Sequence, residues 1–194
     1  VNYFRFEDRE PDPKRSGILL VLDKFLHSCF HNRVLYEVNM GKLLAIYVCP
    51  EKGLPMSSIQ QVRAIAGVGL EGDRYALGKG AYSRSARVTI RHVSLVSIEA
   101  INEANRELEF PFLPEETRRN LLTEGIDLNS LVGRMFQIHD VFMHGVELCT
   151  PCARPSTLAK KPGFEPAFQE RGGLRAEILT TSVITVGNDI FVAN

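Results

Sequence analysis

Several features that would commit a chain to a membrane, a secreted scaffold or a polyanion are missing from this sequence. Its longest early apolar run, Ile18 to Leu22, is five residues, too short to span a bilayer or to form a signal-peptide core. No small-residue cleavage site follows it, and the expected compartment is the cytoplasm, with no membrane partner. Charge of one sign is not in excess: 23 Lys+Arg balance 23 Asp+Glu, so no global field draws the protein to nucleic acid. Cysteine is scarce and unevenly spread (Cys29, Cys49, Cys149, Cys152), which excludes a disulfide scaffold. In a reducing compartment each thiol is then either core filler or chemistry. Internal repeats and low-complexity tracts are also lacking.

What is present fits one ordinary globular domain: 194 residues, 44% hydrophobic and 24% charged, enough to bury a core without staples. Residues 1–39 differ from the rest. Asn2 to Arg15 is charge-dense and carries Pro11 and Pro13, which reads as loop or disorder. Apolar residues at 18, 22, 25, 26, 29 and 30 suggest a short amphipathic helix. Met40 reads as a natural start, which makes 1–39 an upstream or non-native extension and 40–194 the domain; a native helical arm is the alternative.

From Leu43 on, short strands dominate: Leu43–Val48, Gln60–Ile65, Arg87–Val96, Arg134–Ile138, Asp140–Met143, Val146–Thr150, Ala176–Thr180, Ser182–Val186 and Asp189–Val192. Turns are expected at Asp140, at Gly145 and at Gly187-Asn188. Two helices are predicted, Ser97–Glu107 and Pro114–Leu122, the second opening on Pro-Glu-Glu. The pattern predicts a mainly β (α+β) fold, a closed or nearly closed barrel with a few peripheral helices.

Four stretches carry chemistry. Gly67-Val-Gly-Leu-Glu-Gly-Asp-Arg-Tyr75 has three glycines whose backbone N–H groups can approach an anion. It lacks the Gly-Lys-Ser/Thr of a phosphate loop, and a plain turn with an Asp73–Arg74 ion pair is the alternative. Arg118-Arg-Asn120 offers a guanidinium fork with an amide for a heterocycle edge, or simply surface arginines at a helix end. Arg171-Gly-Gly-Leu-Arg175 suits close backbone approach to a ligand, or a turn with solvated arginines.

Cys149-Thr-Pro-Cys152 admits three readings. A thioredoxin-like pair needs a βαβ setting that the pattern does not supply. A zinc site needs two more ligands, and His139 and His144 match no common spacing. The third reading is a reactive or metal-bound thiolate at Cys152 with Cys149 as a strand residue. Between Thr150 and Arg175 stand five basic residues and two acidic ones, surroundings that favour a thiolate and an anionic ligand.

Together, Gly69-Leu-Glu-Gly-Asp-Arg74, Arg118-Arg-Asn-Leu121, Gly125-Ile-Asp-Leu128 with Leu131-Val-Gly-Arg134, Cys149-Thr-Pro-Cys152 and Arg171-Gly-Gly-Leu-Arg-Ala176 appear in the order seen in the MOSC family. That family is named for the C-terminal domain of molybdenum-cofactor sulfurases, and the chain resembles it over roughly residues 41–193. The resemblance implies a β-barrel that binds the molybdenum cofactor (molybdopterin), with Cys152 as catalytic residue and molybdenum ligand. Arg74, Arg118 and Asn120 are implied cofactor contacts, and Arg171 and Arg175 join them as candidates from the basic stretch. Some members resemble amidoxime-reducing proteins, which implies reduction of N-hydroxylated compounds with a separate electron donor. Others imply sulfur carriage on a Cys152 persulfide, with a separate sulfur donor; a non-catalytic, partner-binding barrel is the third alternative. No Schiff-base lysine context is found, so no pyridoxal phosphate site is expected. Gly187-Asn-Asp189 departs from the family's closing Gly-Asp pair.

Overall fold

The computed structural model describes residues 39–83 and 90–192. The proposed extension over residues 1–39 and the helix read within it therefore lie outside the described residues, apart from Asn39, which already belongs to a strand. In chain order the strands are Asn39–Val48 (β1), Ser57–Ile59 (β2), Gln61–Ile65 (β3), Gly69–Leu70 (β4), Val93–Ser97 (β5), Leu121–Glu124 (β6), Met135–Ile138 (β7), Val141–Leu148 (β8), Leu174–Ile178 (β9), Ser182–Thr185 (β10) and Asp189–Val192 (β11). Three short helices accompany them: Ile98–Asn105 (α1), Arg154–Ala159 (α2) and Phe164–Ala167 (α3).

Seven strands close into a ring in the order β1-β6-β5-β9-β8-β7-β11, with β11 returning to β1. All pairs are antiparallel except β5–β6. β2 extends the sheet beside the second half of β1, and β10, β3 and β4 form a separate small sheet. The expectation of a mainly β barrel with peripheral helices is met.

Alternation places the core. β7, β9 and β11 bury every second residue, and β8 does so as far as Gly145, as the two-residue period of a strand requires. Phe136, Ile138, Met143, Leu174, Ala176 and Ile190 thereby share one interior with Leu43, Leu95 and Leu121. The parallel pair differs. Leu95 and Leu121 face the barrel interior, while Val96 and Leu122 join a second apolar cluster with Ile101, Phe112, Phe164 and Phe168. β5 and β6 are thus covered on both faces, and each carries two adjacent buried apolar residues, Leu95-Val96 and Leu121-Leu122, in place of strict alternation. In the outer cluster Phe164 stacks on Phe168 at 4.1 Å, and Phe112 meets Phe164 edge-on at 5.1 Å.

Two local expectations are corrected. Pro114–Leu122 is not one helix. Its Pro-Glu-Glu start is real but supports a single 3-10 turn, Pro114–Thr117, in which Glu116 accepts the Leu113 N–H. Arg118 then turns left-handed (φ 66°), and Leu121–Leu122 go to the barrel wall. Gly145 makes no turn: β8 runs through it, with a register irregularity between Gly145 and Glu147. Its glycine is needed because the Leu131 carbonyl sits where a Cβ would stand, 2.0 Å from that position. By contrast, α1 starts as read, with Ser97 Oγ accepting the Ala100 N–H at 3.1 Å. The Gly187-Asn188 turn also forms, closed by Asn188 Oδ1 accepting the Thr185 N–H at 2.8 Å. It links β10 and β11, which belong to different sheets. Among the described residues no helix is long and apolar enough to cross a membrane.

Candidate functional site

The residues preceding β6, the start of β5, the end of β8 and the first part of β9 surround a cavity of about 420 Å³. Cys152 enters it from the loop after β8, half-buried, behind the buried Pro151. Pro151 has no N–H to offer a ladder, so the strand stops and the second thiol leaves the sheet. Cys149 keeps sheet-like pairing, its N–H donating to Gly173 O at 2.7 Å, and is 3% exposed. It packs as a small apolar residue.

Arg74, Arg118, Asn120 and Arg175 line the same cavity; Arg171 does not. Arg171 reaches instead to Glu107 at 2.9 Å and Glu103 at 3.4 Å beside α1, where two carboxylates satisfy its guanidinium. The structure therefore does not bring it together with the other expected cofactor contacts. Arg119 of the Arg118-Arg119 step and Arg154 of the basic stretch line the cavity too, together with two cations that the sequence did not single out, Lys52 and Arg91. Seven cationic side chains thus line the cavity with one carboxylate, Glu147, which accepts a hydrogen bond from Arg175. A chain of zero net charge has gathered its positive charge locally, which only a local accounting of the folded site can reveal.

Beneath the cavity lies a buried polar node. Asp73, 1% exposed, accepts from Arg74 Nη1 at 2.9 Å, Asn120 Nδ2 at 3.1 Å, and the backbone N–H groups of Cys49 (3.3 Å) and Tyr75 (3.1 Å). Arg74 also donates from Nη2 to Arg118 O at 3.1 Å. Both alternatives for Asp73-Arg74 therefore hold: the two form a local ion pair, and Arg74 still reaches the cavity. The Asn120 amide is fully engaged. Its Nδ2 donates to Tyr47 O and Asp73, and its Oδ1 accepts from Ser94 N and Ser94 Oγ. With both donors and both lone pairs used, Asn120 ties three segments together rather than offering a free edge to a heterocycle.

That tie sets the arginines. Left-handed backbone at Arg118 is uncommon for a side-chain-bearing residue, and it sends two consecutive guanidinium groups to the cavity wall. Arg118 donates to Leu54 O and, at 3.6 Å, to the thiol of Cys49. Arg119 Nε donates to Gly172 O at 2.8 Å. Burial pushes Arg118 down from its ordinary arginine range; the positive charges of Arg74 and Arg154 add to this, and the bond to Cys49 opposes it. Cys49 was missed by the sequence reading because it ends an apolar run and looks like core. Its Sγ donates to Glu51 O at 2.7 Å, and this helps shape the loop that carries Lys52.

The Gly172-Gly173 pair admits close approach, but of the chain to itself. A Cβ on Gly172 would lie 2.0 Å from Cys149 O and 3.3 Å from Pro151, and one on Gly173 (φ 91°) would lie 2.0 Å from Leu95 O. These glycines let β9 press against the segment that presents Cys152. Gly172→Ala is expected to shift that segment and loosen Arg119. The expected cost is about 1–3 kcal/mol, typical of overpacking, with an altered rate of Cys152 alkylation. Unchanged stability together with an unchanged alkylation rate would contradict the packing described.

Among the described residues no group of three or more His, Cys, Asp or Glu side chains is arranged to hold a metal ion. The zinc alternative thus has no cluster there. A metal at Cys152 needs its remaining donors from a ligand.

A family model described as the MOSC domain matches residues 82–191. Among solved structures, the YuaD protein from Bacillus subtilis is similar with a TM-score of 0.67 at 21% identity, covering 82% of this chain and 100% of that one. YiiM from Geobacillus stearothermophilus gives 0.60 at 13% identity, covering 79% and 75%. YiiM from Escherichia coli gives 0.57 at 14%, covering 81% and 69%. At these identities the likeness shows a shared fold. A search of curated proteins found no match.

Proposed function

Given that the chain belongs to the MOSC domain family, whose domains are of the molybdenum-cofactor-binding type, we propose that this member holds the cofactor in the cationic cavity, with the Cys152 thiolate as metal ligand. The observation that carries the reading is the coincidence, around one cavity, of a half-buried thiol and seven cations with one carboxylate.

The donor set suits such a group. A thiolate is a soft donor appropriate to a metal already bound by sulfur. The phosphate of the pterin needs guanidinium groups that are fixed in advance, and Arg118 and Arg119 are held by the chain's own carbonyls. Arg74 supplies charge from beneath, and Arg175, paired with Glu147, lines the same cavity as Cys152. Once bound, the cofactor supplies two-electron redox chemistry at molybdenum.

The reaction we propose is reduction of N-hydroxylated compounds: the N–O bond breaks, two electrons and two protons are taken up, an N–H bond forms and water leaves. A separate flavin or iron–sulfur protein supplies the electrons, and the setting is cytoplasmic. The chain's own residues bind and orient; Cys152 fixes the metal, and the arginines hold charge in a site whose lining also includes the buried Val93 and Pro155.

Metal analysis of protein made in cofactor-competent cells tests this. Molybdenum near one equivalent, with pterin, is expected. Protein that never retains molybdenum and does not bind added cofactor would refute the reading. A labile extra sulfur on Cys152 without metal would favour sulfur carriage instead.

A further inference from the structure

The seven cations of the cavity are not equivalent. Arg74 and Arg175 already have carboxylate partners, Asp73 and Glu147. Arg118 and Arg119 are oriented by backbone carbonyls, and Arg91 lies over the Tyr82 ring at 4.7 Å. Lys52 and Arg154 differ: both are exposed at the wall, and among the described residues neither side chain has a hydrogen-bond or carboxylate partner. Arg154 stands two residues after Cys152 in the chain and adds to the positive field at Arg118. An inner set is therefore fixed in advance, while an outer pair is uncommitted.

Charge counting gives the outer pair a task. Five of the lining cations have no carboxylate partner among the described residues. A phosphate monoester brings only about −1.5 to −2 of charge at neutral pH, and the ligating Cys152 thiolate about one more, together still short of five. With a cofactor phosphate on the inner arginines, positive charge remains at the mouth, where it concentrates anions and repels cations.

We infer that the natural substrate carries its own oxyanion, a carboxylate or phosphate, which Lys52 and Arg154 recruit beside Cys152. This rests on the proposed N-hydroxy reduction and narrows it: the substrate class is N-hydroxylated acids or phosphates rather than neutral or cationic N-hydroxylated bases. The redox balance is unchanged, with the N–O bond cleaved, water released, and two electrons drawn from the separate donor protein.

The test uses matched benzamidoximes, neutral, 4-carboxylate and 4-phosphonate, with cofactor-loaded protein and a reducing partner. At low salt the two anionic compounds are expected to exceed the neutral one in kcat/KM by about tenfold or more, and salt should erode the advantage. The double variant Lys52→Glu/Arg154→Glu should bring the ratio to unity or below. Lys42→Glu, which does not line the cavity, should leave the ratio as it was. Preference for the carboxylate alone or the phosphonate alone would identify the oxyanion.

A second readout needs no cofactor. Cys152 in cofactor-free protein should react with iodoacetate faster, relative to iodoacetamide, than in the double variant, by about fivefold or more. Equal use of neutral and anionic amidoximes, or ratios that ignore the double variant, would overturn the inference while leaving the proposed function standing. If no amidoxime is reduced, the proposed function fails, and the alkylation ratio alone decides whether the outer pair recruits oxyanions.

Discussion

Cys152→Ser is expected to abolish stable molybdenum retention, lowering metal content at least tenfold, while Cys149→Ser retains most of it. The asymmetry follows from where the two sulfurs sit. Cys149 is 3% exposed, its N–H bound to Gly173 and its carbonyl pressed against Gly172; serine there loses a small apolar contact. Cys152 lies past the end of the strand on the cationic wall, and serine replaces a soft donor with a hard one that is not ionised at neutral pH. Metal content per folded protein, with circular dichroism to confirm folding, is the measurement. Comparable loss at both positions would indicate a shared site or a redox pair and would refute the division of labour.

Removing the Asp73 carboxylate should have the largest effect on stability. The pair it forms with Arg74 is 1% and 7% exposed, and Asp73→Ala leaves a buried guanidinium without its counter-charge. It also strips acceptors from Asn120 and from two backbone N–H groups. Breaking a buried pair on one side costs about 3–5 kcal/mol, readable as a drop in the denaturation midpoint. The double change Asp73→Ala/Arg74→Met should recover much of that loss, because the stranded charge is gone, yet it should not restore cofactor retention. A single-variant loss below about 1 kcal/mol would show that the pair behaves as a solvated one.

The barrel was legible in the sequence because most strands alternate and short turns separate them. What misled the reading was local chemistry serving a distant contact. Pro114-Glu-Glu is a sound helix start, but Leu121–Leu122 must line β6 on both faces, and pattern alone does not separate a doubly buried strand from a helix segment. Gly145 and Gly172 look like turn or ligand glycines because their real neighbours, Leu131 O and Cys149 O, come from elsewhere in the chain. Cys152 and the Arg118-Arg119 step were readable from motif and order. The commitments of Arg171 to Glu103 and Glu107 and of Asn120 to Ser94, Tyr47 and Asp73 were not, because each depends on partners brought together only by the folded barrel.

The pairing of Asn39–Lys42 with Asp189–Val192 joins strands about 150 residues apart, a separation that makes closure a late, slow event in folding. Until β11 has been synthesised, β1 and β7 each show an unsatisfied edge, and such edges recruit other chains. Yield in cells should therefore be limited by the interval between synthesis and closure. Loss of β11 alone would convert a sealed wall into two adhesive margins, and the expected product is aggregate rather than a slightly weakened monomer.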